Sequence, residues 1–323
     1  MRKRLLLFIL LGWVLLIIGD RVDELRVYQG AQIAMYTIAL SSIVLLTGYS
    51  GQVSLGNGAM MAVGGYAAAL TLNNLQTPIW FAFLMAILAS AVFGALLGAS
   101  AARLSGPYLA GTTLALAVGL PALANQFEFL GGEQGILFDV GFPPERFGEE
   151  FSQYKWFFWI ATFIALVSIF ITSNILHSRF GRTWRAIRGN SLAAELAGIH
   201  SARMKVLAFT ISSAIAGLAG AVLAMTISLV SPGAYTLSLS FALVTGAVLA
   251  GISSLPGVML GAVILVAIPE IADVVAHRLG DSEKVITHLP GLIVSVLLIL
   301  SVIFTPNGPG ENLRKHRHKK SAH

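Results

Sequence analysis

Cysteine is absent from this sequence of 323 residues, and charged residues are scarce. Without cysteine the chain has no disulfide, no thiolate nucleophile and no cysteine-ligated metal site. Charged residues make up 11% of the chain and hydrophobic residues 56%, whereas soluble domains carry about 25% charged residues. This balance indicates an integral membrane protein.

Motifs of metal enzymes and ATPases are absent as well. The sequence has no GxxxxGK[ST] phosphate loop for ATP and no HExxH zinc motif. Histidine does not occur centrally in any apolar run, and charged residues are nearly missing from these runs, although proton-driven machines need them. We therefore expect no metal, no cofactor and no catalytic residue. A chain of this kind that moves a solute needs energy from elsewhere or moves it downhill.

Continuous apolar runs dominate the chain, and a helix of about 20 apolar residues crosses the hydrocarbon core of a membrane. They predict an all-α, polytopic transmembrane helical bundle of about ten spans, with about eight also possible. We expect residues 1–305 to form a single transmembrane domain, with a retained first helix and a basic cytoplasmic tail at 306–323. The predicted spans are 4–20, 31–48, 52–72, 78–102, 107–127, 155–176, 205–228, 238–254, 256–273 and 288–305.

Basic residues are concentrated at the N-terminus, in the loop 177–205 and in the tail. Loops rich in lysine and arginine stay on the cytoplasmic side of a membrane. The loop 128–154 is acidic and is expected to face outward. This distribution predicts that both termini are cytoplasmic.

Glycine-rich segments interrupt the apolar runs at 47–70 and 244–265. Small residues allow close helix packing in lipid, which is one explanation for these glycines. The other is a broken helix that lines a solute path, because a cavity can satisfy the freed backbone groups. Uncharged polar side chains in both segments favour glycine-broken helices along a path. The candidate path residues are Gln52, Ser54, Gly56, Asn57, Gly251, Ser253 and Ser254.

The basic loop contains the sequence NSLAAELAGI, which begins at Asn190. It predicts a short helix with Asn190 or Ser191 as the N-cap. The residues alone leave two interpretations open: an anchor on anionic lipid, or a docking helix for a cytoplasmic partner.

Several sequence blocks resemble the inner-membrane permease of branched-chain amino-acid ABC importers. They occur in the family's order and cover roughly residues 30 to 310. The blocks are GYSGQVSLGNGAMMAVGGYAAAL, SGPYLAGTTLAL, LGGEQGI, FGRTWRAIRGNSLAAELAGIHSARMKVLAFTISSAIAGLAGAVLA, LAGISSLPGVMLGAVILVAIPE and FTPNGPG.

This resemblance implies a permease domain in a bacterial or archaeal cytoplasmic (inner) membrane, without ATP hydrolysis of its own. It implies a second related permease subunit, two cytoplasmic ATPase subunits and an extracytoplasmic solute-binding protein as partners, and no nucleic acid. The segment 188–203, starting at Arg188, would be the loop that couples to the ATPase. Glu195, Ala197 and Gly198 match the family's motif there. Closure of the ATPase pair would push this loop and switch the path by alternating access, for branched-chain or similar amino acids.

Departures from the family pattern leave the solute open. Asn57 occupies a position that is commonly histidine, and the usual glycines and tryptophan around 250–256 are partly replaced. Related permeases carry urea, short amides and other small polar solutes. A passive channel for a small neutral polar solute is the alternative from another class. An intramembrane enzyme would need clustered titratable or nucleophilic groups, which the sequence lacks.

Overall fold

The protein is described from a computed structural model. The residues it describes are 21–75, 77–104, 106–141, 143, 147 and 151–279, with isolated positions in 12–19 and 292–299.

Helices make up most of the described chain. In chain order the helices and strands are α1 (Glu24–Ile43), α2 (Asn57–Leu75), α3 (Ile79–Ala101), α4 (Pro107–Ala124), β1 (Ile136–Leu137), α5 (Gln153–His177), α6 (Arg179–Gly189), α7 (Ser191–Leu196), α8 (Ser201–Ile227), β2 (Leu229–Val230), α9 (Leu237–Ala250) and α10 (Val258–Leu279). Helix α1 continues without interruption into π-helical turns at Val44–Tyr49, and short 3₁₀ turns lie at Glu128–Leu130 and Pro232–Tyr235.

The long helices run in alternating directions between two ends of the bundle. One end carries α7 and the arginine-rich helix α6 and is called the arginine end. The other carries the antiparallel pairing of β1 with β2, in which Ile136 lies opposite Val230, and is called the strand end. Helices α1, α3, α5 and α9 run toward the arginine end, and α2, α4, α8 and α10 run away from it.

Membrane-length helices confirm the all-α, multi-pass fold. Within the described residues six helices are long and apolar enough to cross a membrane, and Val258–Ala272 is a shorter apolar helix. The expected number of about ten spans is not confirmed. The predicted spans 4–20 and 288–305, apart from isolated positions, and the tail 306–323 lie outside the described residues. The six helices are Glu24–Tyr49, Ile79–Ala101, Pro107–Ala124, Gln153–His177, Ser201–Ile227 and Pro232–Ala250.

Helices α2, α3 and α8 pack against one another through small residues, and α3 keeps its other face exposed. A Cβ added to Gly64 would overlap the backbone of Gly217, and one added to Gly220 would overlap the backbone of Met61. In lipid, helix association depends on such close packing because burial of apolar surface gives little advantage there. Glycine at these positions therefore sets the distance between α2 and α8.

Helix α4 lies at the periphery. Tyr108, Val118 and Leu123 on this helix are exposed. Gly111 and Gly119 have open space where a side chain would be, with no atom within 4 Å of an added Cβ. Much of α4 is therefore exposed and does not pack against the other described helices.

Candidate functional site

The first glycine-rich segment contains a break in the helix. The π-helical turns end where the Ser50 N–H donates to the Leu45 carbonyl oxygen at 3.1 Å. Residues 51–56 form neither helix nor strand, and α2 begins at Asn57. Gly51 has φ +73°, a conformation that favours glycine. The helix of the span predicted at 52–72 therefore begins later, because a non-helical segment precedes it.

Side chains at residues 52–54 alternate between the interior of the subunit and its surface. Gln52 and Ser54 are each 4% exposed and point into the subunit, whereas Val53 is 47% exposed on the opposite side. Asn57 is also buried, and its Nδ2 donates to Ser42 Oγ at 3.2 Å. In this conformation the polar candidate residues are enclosed by their own subunit. Their role in a solute path stays a prediction.

Polar contacts link this first break to three other helices. Gln52 Nε2 donates to the Lys205 carbonyl oxygen in α8 at 3.4 Å. The Leu55 N–H donates to Thr113 Oγ1 in α4 at 3.0 Å, and a Cβ on Gly56 would lie 3.1 Å from the carbonyl oxygen of Thr113. At the start of α2, the Gly58 N–H donates to the side chain of Ser240 in α9.

The second glycine-rich segment also contains a break, which lies between α9 and α10. Helix α9 ends at Ala250, and α10 begins at Val258. Gly251 has φ +87°, and the Ser254 N–H donates to its carbonyl oxygen at 2.7 Å. Ser254 Oγ in turn accepts a hydrogen bond from the Gly257 N–H at 3.2 Å. Residues 251–257 thus form a compact turn at the arginine end.

The two breaks are in direct contact. A Cβ on Gly48 would overlap the carbonyl oxygen of Ile252. Ser253 Oγ donates to the Gly48 carbonyl oxygen at 3.3 Å. Arg188 Nη1 donates to that same carbonyl oxygen and to Ser253 Oγ, the latter at 2.9 Å. The structure therefore brings a predicted path residue, Ser253, together with a predicted coupling residue, Arg188.

Helix α6 is amphipathic and is fixed to the bundle by its apolar side. Trp184 is fully buried, Ile187 is also buried, and the Trp184 Nε1–H donates to the Met204 carbonyl oxygen at 2.9 Å. Ser178 caps the start of α6, where its hydroxyl accepts from the Phe180 N–H at 3.2 Å. The arginines of α6 are exposed.

Helix α7 protrudes at the arginine end, and its predicted N-cap is confirmed. Asn190 Oδ1 accepts a hydrogen bond from the Ala193 N–H at 3.0 Å. The helix ends at Leu196, and two residues later Gly198 has φ +84° and donates its N–H to the Glu195 carbonyl oxygen at 2.9 Å. Glu195, Ala197 and Gly198 are all exposed, as expected for a docking element.

Two exposed leucines on α7 were not predicted as functional residues from the sequence. Leu192 is 68% exposed and Leu196 is 84% exposed, and they are four positions apart in the sequence, so that they share a helix face. The signal was a pair of leucines at helical spacing in the predicted short helix. Helix α7 therefore offers an apolar ridge beside Glu195.

At the strand end, a cavity of about 610 Å³ opens between the end of α2 and the loop that follows α4. Its lining includes Asn73, Asn74, Glu128 and Phe129. Phe129 is exposed. Within the described part of the chain, no cluster of three or more histidine, aspartate or glutamate side chains could hold a metal ion.

The membrane-length helices define a multi-pass membrane protein. Residues 28–302 match the sequence profile of the family described as branched-chain amino acid transport system / permease component. The chain belongs to this family.

Curated relatives come from both bacteria and archaea. The high-affinity branched-chain amino acid transport system permease protein LivM of Salmonella typhimurium is 29% identical over 94% of this chain and 73% of its own length. The corresponding permease protein LivH of Escherichia coli is 26% identical over 84% and 90%. A probable LivM from Methanocaldococcus jannaschii is 25% identical over 70% and 67%. No solved structure matches the chain significantly.

Proposed function

We propose that this chain is the transmembrane permease subunit of an ATP-driven importer for branched-chain or similar amino acids. The observation that carries the proposal is the protruding helix α7, whose neighbour α6 bonds to both helical breaks. Relatives named as two permease proteins of one kind of system, LivM and LivH, support pairing with a second related permease. An extracytoplasmic solute-binding protein would deliver the amino acid at the strand end.

Helix α7 is the docking element for a cytoplasmic ATPase in this proposal. Leu192 and Leu196 would enter an apolar cleft on the ATPase, and Glu195 would bind a polar or basic group at its rim. The arginines of α6 and the 177–205 loop support a cytoplasmic position for this end, because basic loops stay on the cytoplasmic side of a membrane. Two ATPase subunits, one on each permease, would supply the energy, since the sequence has no phosphate loop of its own.

The two breaks form the moving part of the path. Backbone without helical hydrogen bonds is tolerated at membrane depth only where protein or water surrounds it. The buried, uncharged groups of Gln52, Ser54 and Asn57 would meet a zwitterion without burying a fixed charge. The solute is released inward only if the two states of the permease bind it differently.

The test is uptake of radiolabelled leucine into proteoliposomes that contain the complete importer. We expect uptake that requires both the solute-binding protein and ATP hydrolysis, and that an excess of unlabelled isoleucine or valine competes with. Competition by urea or acetamide but not by valine would assign the chain to the permeases for urea and short amides. Uptake that continues without ATP would contradict an ATP-driven mechanism and favour a passive channel.

A further inference from the structure

The four arginines of α6 point in different directions. They occur at every third residue, from Arg179 to Arg188, and an α-helix turns by about 100° per residue. Each arginine is therefore rotated by about 60° from the one before, and Arg188 lies about 180° around the helix from Arg179. Arg182 Nη1 donates to the nearby His177 carbonyl oxygen at 3.3 Å, whereas Arg188 turns toward the two breaks.

Arg188 lies where two helices end. Gly48 belongs to the last turn of the π-helical extension of α1, and Ser253 follows the end of α9. The last carbonyl groups of a helix lack partners within the helix and carry its partial negative charge. Arg188 Nη1 carries two hydrogens, so that this one nitrogen donates to the Gly48 carbonyl oxygen at the end of the first helix and to the Ser253 hydroxyl after the end of the second.

The stem of Arg188 is also held by the first break. A Cβ on Gly51 would lie 2.8 Å from Arg188 Cγ, so that only a glycine leaves room for this side chain. The head and the stem of Arg188 therefore both contact the segment between α1 and α2, and the head contacts the segment between α9 and α10 as well.

Arg188 is close in sequence to the docking helix. Only Gly189 separates it from Asn190, the N-cap of α7. Trp184, one turn earlier, fixes α6 to the first turns of α8. Arg188 therefore lies between the fixed contact of Trp184 and the docking helix.

We propose that Arg188 is a transmission residue, which carries movement of α7 to both helical breaks at once and does not itself bind the ATPase. This inference rests on the proposed function. The guanidinium of Arg188 moves the two breaks together, because the same Nη1 bonds to Gly48 and Ser253. Without this link the ATPase still binds the permease and hydrolyses ATP, but hydrolysis no longer drives the change in the two breaks.

The experiment measures leucine uptake and ATP hydrolysis in the same proteoliposomes, which contain the complete importer. The variants are Arg188→Gln, which removes the guanidinium, and Ser253→Ala, which removes only the hydroxyl that accepts from Arg188. Arg182→Gln is the matched control, because it removes the same charge from the same helix and leaves the breaks untouched. Co-purification of the ATPase is measured for every variant.

For Arg188→Gln we expect normal ATPase co-purification, continued hydrolysis and about a tenfold fall in leucine moved per ATP, within the range of coupling free energies between sites. Ser253→Ala lowers the same ratio by about threefold, because one of the two acceptors remains. Arg182→Gln stays within about twofold of the wild type, as is usual for a surface charge.

An unchanged ratio of leucine to ATP in Arg188→Gln would overturn the inference while the proposed function stands. Loss of ATPase co-purification in Arg188→Gln, with an unchanged ratio in Ser253→Ala, would also overturn it, because Arg188 would then be a docking residue. Wild-type vesicles without ATP-dependent leucine uptake would instead refute the proposed function, and the inference with it.

Discussion

Close packing between α2 and α8 gives a quantitative prediction for Gly64→Ala. The new methyl group would overlap backbone atoms of Gly217, which cannot rotate away, so the two helices must separate. Overpacking of this kind costs about 1–3 kcal/mol. Alanine also gains about 1 kcal/mol over glycine in helix propensity. The net effect of Gly64→Ala is a destabilisation of up to about 2 kcal/mol.

Gly111→Ala on α4 is the matched control. It has the same gain in helix propensity but no atom within 4 Å of the new methyl group. The free energies of unfolding of the two variants should therefore differ by the packing cost alone, about 1–3 kcal/mol. The assay is equilibrium unfolding of the purified subunit in detergent micelles. A Gly64→Ala subunit that unfolds no more easily than Gly111→Ala would refute the reasoning.

Three further predictions concern the arginine end and the first break. Leu196→Glu should abolish ATPase co-purification without changing the thermal stability of the isolated subunit, since Leu196 is 84% exposed; retained binding would exclude α7 as the docking helix. Trp184→Phe removes the hydrogen bond to Met204 and should lower the free energy of unfolding by about 1–3 kcal/mol, and an unchanged value in the same unfolding assay would contradict this. Asn57→Leu should reduce leucine uptake while assembly with the ATPase stays normal; unchanged uptake would show that Asn57 serves packing alone.

Helices and caps were predictable because their signals are local. The apolar runs that predicted 155–176 and 205–228 became Gln153–His177 and Ser201–Ile227, since each contains enough apolar residues to span lipid. Asn190 or Ser191 was predicted as the N-cap of the short helix, and the structure shows that the cap is Asn190.

The interior of the site was not predictable, because it depends on contacts between distant segments. Hydropathy treats residues 52–56 as part of a helix, whereas in the structure they are non-helical and hydrogen-bond to α4 and α8. Polarity predicts that Gln52 lines a path, and this stays a prediction. The burial of its side chain against α8 depends on tertiary contacts. The direction of Arg188 toward Gly48 and Ser253 depends on how α6 is rotated when Trp184 is buried, and no local pattern specifies this rotation.

The central claim is that ATP-driven movement at the arginine end opens the helical breaks, and a single cysteine in the first break tests it most directly. The natural chain has no cysteine, so Ser54→Cys gives an unambiguous signal with nearly the same side-chain volume. Ser90 is buried on α3, where its hydroxyl donates to the Met60 carbonyl oxygen in α2. Ser90→Cys is therefore the control that should not react.

The measurement is the rate at which a water-soluble thiol reagent modifies Ser54→Cys in the complete importer, with and without trapping of the ATPase in its closed state. We predict slow modification in one state and modification about tenfold faster in the other, while Ser90→Cys stays unreactive in both. Equal rates at Ser54→Cys in the two states would contradict the account.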